Sequence, residues 1–207
     1  MPTVRLAGIA VLLVLAVTAH AHAQPRSLPI ARLTSADLRA VAAALAAPLG
    51  ALQHAAPGKR RVRVAGTSAP VGRTYTLSAV RVAGAHAVTT AALTEVMQSF
   101  AHPDPDDEAW YDRHTAITGA PTAASLALAF HTDSSVARPT SAESAALAAL
   151  TTALLAAATP HAQLALWQVQ CGWGDVVGAA YHGLAIVDTT THELLWLHTD
   201  EAWYDAQ

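Results

Sequence analysis

The apolar positions change period several times along the chain, and the changes mark out its elements. Leu38, Val41, Ala42 and Leu45 fall on one face at helical spacing. Thr34 or Ser35 is placed to cap this helix, and Asp37 suits its first turn. Pro48 and Gly50 predict its end. After the turn signal Pro57-Gly58, Val62 and Val64 alternate with Arg61 and Arg63, the pattern of a half-buried strand. Residues 75–82, rich in β-branched and aromatic types, predict a second strand closed by Gly84. Leu93, Met97 and Phe100 return to helical spacing over residues 90–100.

Residues 102–114 hold two prolines and five acids and predict a loop. Leu126, Leu128 and Phe130 then alternate as one face of a third strand. Ser141 caps a long Ala/Leu helix over 142–158, with Glu143 near its positive end and Pro160 to stop it. The last third predicts strands at 164–171, 184–188 and 194–199, the last two joined by a short hairpin loop at 189–192. The order α-β-β-α-β-α-β-β-β predicts an α+β fold, a sandwich of helices on a mostly antiparallel sheet, built by residues 34–207 as a single domain.

The first 23 residues follow another logic. Arg5 precedes an apolar run over 6–17, and Ala21-His22-Ala23 supplies a small-x-small cleavage site before Gln24. This is the layout of a signal peptide, and its apolar run is too short to span a bilayer. The expected product is exported, periplasmic or secreted, with residues 24–33 as an extended leader to the domain. Cys171 is the only thiol, so no intrachain disulfide is expected despite that address. Loss of Arg5 takes the formal charge from −3 to −4, too mild to argue for nucleic acid or for a membrane partner after cleavage. The charges are clustered all the same, with Lys59, Arg60, Arg61 and Arg63 early and Asp104, Asp106, Asp107, Glu108 and Asp112 in the middle. Without any Asn, the chain has no N-glycosylation acceptor.

Chemistry is sparsely signalled. Gly172, Gly174 and Gly178 miss the dinucleotide fingerprint and are expected to make turns. His192-Glu193 lacks the second histidine of a metalloprotease helix, and no other histidine has zinc spacing. No nucleophile elbow or phosphate loop is present in the sequence. Catalytic residues, cofactor and metal are therefore all expected to be none. A rival reading makes Cys171 the nucleophile of a thiol-dependent hydrolase with His182 as base.

One repeat stands out. Asp107-Glu-Ala-Trp-Tyr-Asp112 recurs letter for letter at 200–205, although the flanks do not align as a duplicated domain. Trp110, Tyr111, Trp203 and Tyr204 are the candidate binding residues, large aromatics suited to fill an apolar groove while the acids stay in water. The alternative is that both acidic segments share Ca²⁺ through their carboxylates. The expected function is thus that of a non-enzymatic exported protein that binds another macromolecule. Another exported protein is the natural partner, with oligomeric state left open.

Phe100, the segment 104–112 with Trp110-Tyr111-Asp112, the helix 142–158, the strand ending at Cys171, and Val177-Gly178 through Val187-Asp188-Thr189 together resemble the nuclease A inhibitor family. The resemblance covers about half of the mature chain. It implies a small α/β inhibitor of a nuclease. An extra segment around 126–130 and a further hairpin after Thr189 depart from that pattern, so no inhibitory residue carries over.

Overall fold

The computed structural model describes residues 26–64, 67–82, 109–130, 138–174 and 177–204. The expected signal peptide, the helix expected over 90–100 and the acids at 104–108 lie outside the described residues. The described elements run β1 (Arg26–Leu28), α1 (Ala36–Ala55), β2 (Gly58–Val64), β3 (Thr67–Arg81), β4 (Ala109–Ala116), α2 (Ala123–Ala127), α3 (Ser141–Ala158), β5 (Leu164–Gly174), β6 (Val177–Asp188) and β7 (Glu193–Tyr204). The seven described strands form one sheet in the order β1-β3-β7-β6-β5-β4, with β2 also paired to β3, and every pairing among them is antiparallel. The α+β class read from the sequence is the class observed.

Helices α1 and α3 lie together on one face. Leu38, Val41, Leu45 and Leu52 of α1 and Leu147, Leu150 and Leu154 of α3 share a core with Tyr75, Leu184, Ile186, Leu195 and Leu197 of the sheet. The opposite face carries its own buried cluster, Val80, Val169, Ala185, Val187, Leu194 and Trp196. Strands buried on both faces read as unbroken apolar runs, which is why residues 184–187 and 194–197 show no alternation. The start of α1 is pinned to β7 by Glu193, whose Oε2 accepts from the Thr34 and Ser35 amides at 2.8 and 2.9 Å. Residues expected as an extended leader contribute β1, which pairs with the end of β3.

Five sequence expectations are corrected. Helix α1 does not stop at Pro48 but continues to Ala55, because the apolar stripe runs on through buried Leu49 and Leu52 and outweighs one missing backbone bond. Residues 126–130 are not a strand. A capping box between Thr122 and Ser125 starts α2, and a 3₁₀ turn follows over Leu128–Phe130. The buried positions there are Leu126, Ala129 and Phe130, at helical spacing, while Leu128 is 70% exposed. Residues 109–114 are not loop but the start of β4, paired with β5 around a bulge between Ala109 and Tyr111. A polar edge strand lacks the apolar alternation by which strands are read. Finally, Gly172, Gly174 and Gly178 lie within β5 and β6 rather than in turns, with Gly174 directly opposite Gly178. The cap of α3 also shifts by one residue, to Thr140, which forms a capping box with Glu143.

Candidate functional site

Strand register brings the two copies of the hexapeptide to one end of the sheet. Ala109 lies opposite Trp173, Trp173 opposite Ala179, and Ala179 opposite Ala202, so the copies on β4 and β7 share rows across β5 and β6. Three strand spacings, about 14 Å, separate them. Tyr111 occupies the row of Gly172, Ala180 and Glu201, and Trp203 the row of Gly178 and Gly174. Tyr111 and Trp203 therefore hold positions on the helix-bearing face, with only Gly172, Gly174, Gly178 and Ala180 at the positions of that face between them. Tyr204 belongs to the other face, next to Trp203 in sequence, and Trp110 sits at the bulge. The four candidate aromatics thus gather at one sheet end, divided between its faces.

The two described acids of the second copy, Asp200 and Glu201, are engaged rather than solvated, which corrects the sequence reading for them; Asp205 lies outside the described residues. Asp200 and Glu201 point to opposite faces, as consecutive strand residues must. Asp200 meets Lys59 of β2, with Nζ 2.5 Å from Oδ1. Glu201 is 4% exposed and faces Arg73 directly across β3 and β7. Arg73 Nη2 donates to Glu201 Oε1 at 3.0 Å, and Nη1 donates to Glu143 Oε1 at 2.9 Å. The Tyr75 hydroxyl donates to the same Glu143 oxygen at 2.8 Å. Glu143 Oε2 in turn accepts from the Thr140 amide at 3.3 Å, so one carboxylate caps α3 and ties it to β3.

The electrostatics follow from that burial. For Arg73, burial opposes the charged form, but Glu201 and Glu143 overcompensate and raise its pKa. Burial and the bond to Glu143 push the Tyr75 phenol well above its ordinary range, so it remains a donor. One guanidinium between two carboxylates is a clamp; its charges are spent on one another. On the other face His198 stacks on Trp196 with ring centroids 3.8 Å apart and meets the edge of Tyr181 at 5.6 Å. Burial holds its imidazole down at about 4, with Lys59 adding to the effect against a hydrogen bond that the ring donates to the Trp196 backbone.

Neither alternative chemistry finds its geometry. Cys171 pairs with Tyr181, whereas His182 pairs with Gln170, so positions 171 and 182 belong to opposite faces of the sheet. A Cys–His dyad across them is ruled out by parity. Shared calcium meets the same obstacle at Asp200 and Glu201, and among the described residues no three His, Cys, Asp or Glu side chains converge. Asp104, Asp106 and Glu108 lie outside the described residues. A separate cleft of about 660 Å³ opens at the far end of the sheet, lined by Ile117, Pro121, Leu155, Ala158, His161 and Leu164 among others. It holds none of the residues singled out by sequence. The signal that sequence reading missed is the spacing of Arg73, Glu143 and Glu201, which no local pattern links. No family model, curated protein or solved structure matches the chain.

Proposed function

We propose that the chain is an exported, non-enzymatic protein that binds another macromolecule at the sheet end where both hexapeptides emerge. The observation that carries this reading is the register. It places an aromatic position at each side of a floor made only of Gly172, Gly174, Gly178 and Ala180. Small floor residues between Tyr111 and Trp203 leave room for a partner's side chains, and large aromatics dominate the energetics of such contacts. The Arg73 clamp holds the neighbouring row rigid, which lowers the ordering cost of binding. The resemblance to the nuclease A inhibitor family gives inhibition of an exported nuclease as the specific form of this reading. Export rests on the signal-peptide layout of residues 1–23.

The test is capture from the exported fraction of the source organism by the mature chain and by Tyr111→Ala/Trp203→Ala. A partner retained in fixed stoichiometry by the native chain, and lost by a variant with an unchanged melting curve, supports the reading. Empty capture by both proteins, with the variant merely destabilised, removes its support. The inhibitor form additionally requires that the captured partner be a nuclease whose activity falls on titration with the chain.

A further inference from the structure

We infer that the cleft at the far end of the sheet binds a small uncharged amphiphile, an apolar body carrying one hydroxyl group, with His161 as the acceptor for that hydroxyl. The cleft lies away from the hexapeptide end, so the inference does not rest on the proposed function. Three pieces of chain build it. β4 is continued along β5 by Ile117, whose amide donates to the Leu166 carbonyl at 2.9 Å. Gly119, at φ +83°, then turns the chain, and the Thr122–Ser125 capping box starts α2. The end of α3 and the first residues of β5 supply the other walls, and about 660 Å³ lies between them. Small-molecule sites usually measure roughly 300–1,000 Å³.

The walls are apolar and the polar groups few. Ile117, Leu155, Leu164 and Leu166 line the cleft, each packed against the main core yet only half-buried. Apolar area gathered around one concavity is area that a ligand can still remove from water. Among the described residues that line the cleft, only Thr159 and His161 have polar side chains. His161 is held from behind. Its Nδ1 lies 3.1 Å from Oδ1 of Asp37, in the first turn of α1. The other oxygen of Asp37 accepts from the Gln163 side-chain amide. The backbone beside the ring is fixed too, since the His161 amide donates to the Ala158 carbonyl at 3.1 Å and the Leu164 amide to the His161 carbonyl at 3.0 Å. A neutral imidazole keeps its proton on the nitrogen that faces a carboxylate, which leaves the other nitrogen as an acceptor. Nε2 has no hydrogen-bond partner among the described residues. It is thus a preorganised acceptor beside an apolar cleft, and preorganisation lowers the cost of binding.

Charge decides the class of ligand. No Lys, Arg, Asp or Glu is among the described residues that line the cleft. Asp37 stands behind the ring, and α3 brings its partially negative C-terminal end to the cleft at Ala158 and Thr159. No basic residue in the last turn of α3 offsets that end. A carboxylate or phosphate would therefore enter with no cation to meet it. An ammonium would shed water against aliphatic walls while both oxygens of Asp37 are already engaged. A hydroxyl needs no counter-charge. It donates to Nε2 while the rest of the molecule covers the four aliphatic side chains.

The experiment is calorimetric titration of the mature chain with 4-hexylphenol and three matched probes: 4-hexylanisole, 4-hexylbenzoate and 4-hexylbenzylamine. The phenol is expected to bind about tenfold more tightly than the anisole, the factor that one net hydrogen bond supplies. It is also expected to bind more tightly than either charged probe. His161→Phe keeps a ring but removes the acceptor, and should bring the phenol down to the level of the anisole. Leu155→Trp fills the cleft without touching the acceptor, and should weaken both neutral probes about tenfold or more. Melting curves of the two variants show whether each remains folded, and the contrast between probes on the native chain stands without either. Absence of phenol binding overturns the inference, as does equal affinity for phenol and anisole. Tighter binding of the benzoate or the benzylamine assigns the cleft to a charged ligand and also overturns it. So does phenol affinity that survives Leu155→Trp or His161→Phe unchanged.

Discussion

Arg73 and Glu201 stand directly opposite each other on β3 and β7, both almost fully buried, with Nη2 3.0 Å from Oε1. The same guanidinium holds Glu143 at the start of α3, so a single cation joins two strands and a helix. Arg73→Met is expected to cost about 3–5 kcal/mol, because it strands two buried carboxylates without a cation. Combining it with Glu143→Gln and Glu201→Gln is expected to recover much of that loss. Urea denaturation midpoints of the single and triple variants make the comparison. A single variant as stable as the native chain would show that the clamp contributes nothing to the fold.

His198 sets a pH dependence of defined sign. Its imidazole titrates near 4 in the folded chain, against about 6.5 when unfolded. Above pH 6.5 neither state is protonated there, and stability is complete. As pH falls from 6.5 to 4 the unfolded state takes the proton first, and about 3 kcal/mol is lost. His198→Phe keeps a ring beside Trp196 and is expected to flatten that part of the stability–pH curve. Equal slopes for the two proteins between pH 6.5 and 4 would exclude His198 as the source.

Two glycines are expected to respond in opposite directions. A Cβ at Gly183 would lie 2.1 Å from the Leu197 carbonyl oxygen and 2.7 Å from His198 Cα, both backbone atoms that cannot swing aside. Gly183→Ala is expected to destabilise by about 1–3 kcal/mol or more. Gly50 sits exposed inside α1, and a methyl group added there would have no neighbour within 4 Å. Gly50→Ala should therefore stabilise by roughly 0.5–1 kcal/mol. Thermal melts of both variants against the native chain check the pair of signs.

Calcium is expected to leave the melting temperature unchanged. Asp200 is held by Lys59 on one face and Glu201 by Arg73 on the other, so the described acids of the second hexapeptide offer no shared set of carboxylates. A tight site would raise stability by roughly 2.7 kcal/mol at a hundredfold excess of ion over Kd. Scans in chelator and in excess calcium, with magnesium as the matched control, distinguish the cases. A calcium-specific upward shift of several degrees would contradict this assignment.

The features legible in the chain before folding are local ones. The periods of Leu38, Val41 and Leu45, and of Leu147, Leu150 and Leu154, belong to helices wherever those segments are placed. The apolar runs 184–187 and 194–197 likewise belong to strands buried on both faces. These patterns sufficed for the α+β class and for the final meander. They failed where packing overruled a local signal, as at Pro48, or where a short run fitted two periods, as at Leu126, Leu128 and Phe130. Register had to wait for the assembled sheet, because pairing joins residues far apart in sequence and no local pattern encodes it. It is register that placed Cys171 and His182 on opposite faces, brought Tyr111 and Trp203 to one sheet end, and set Glu201 against Arg73 in the interior. A shift of one residue in any of these pairings would reverse every such placement, since strand side chains alternate with a period of two.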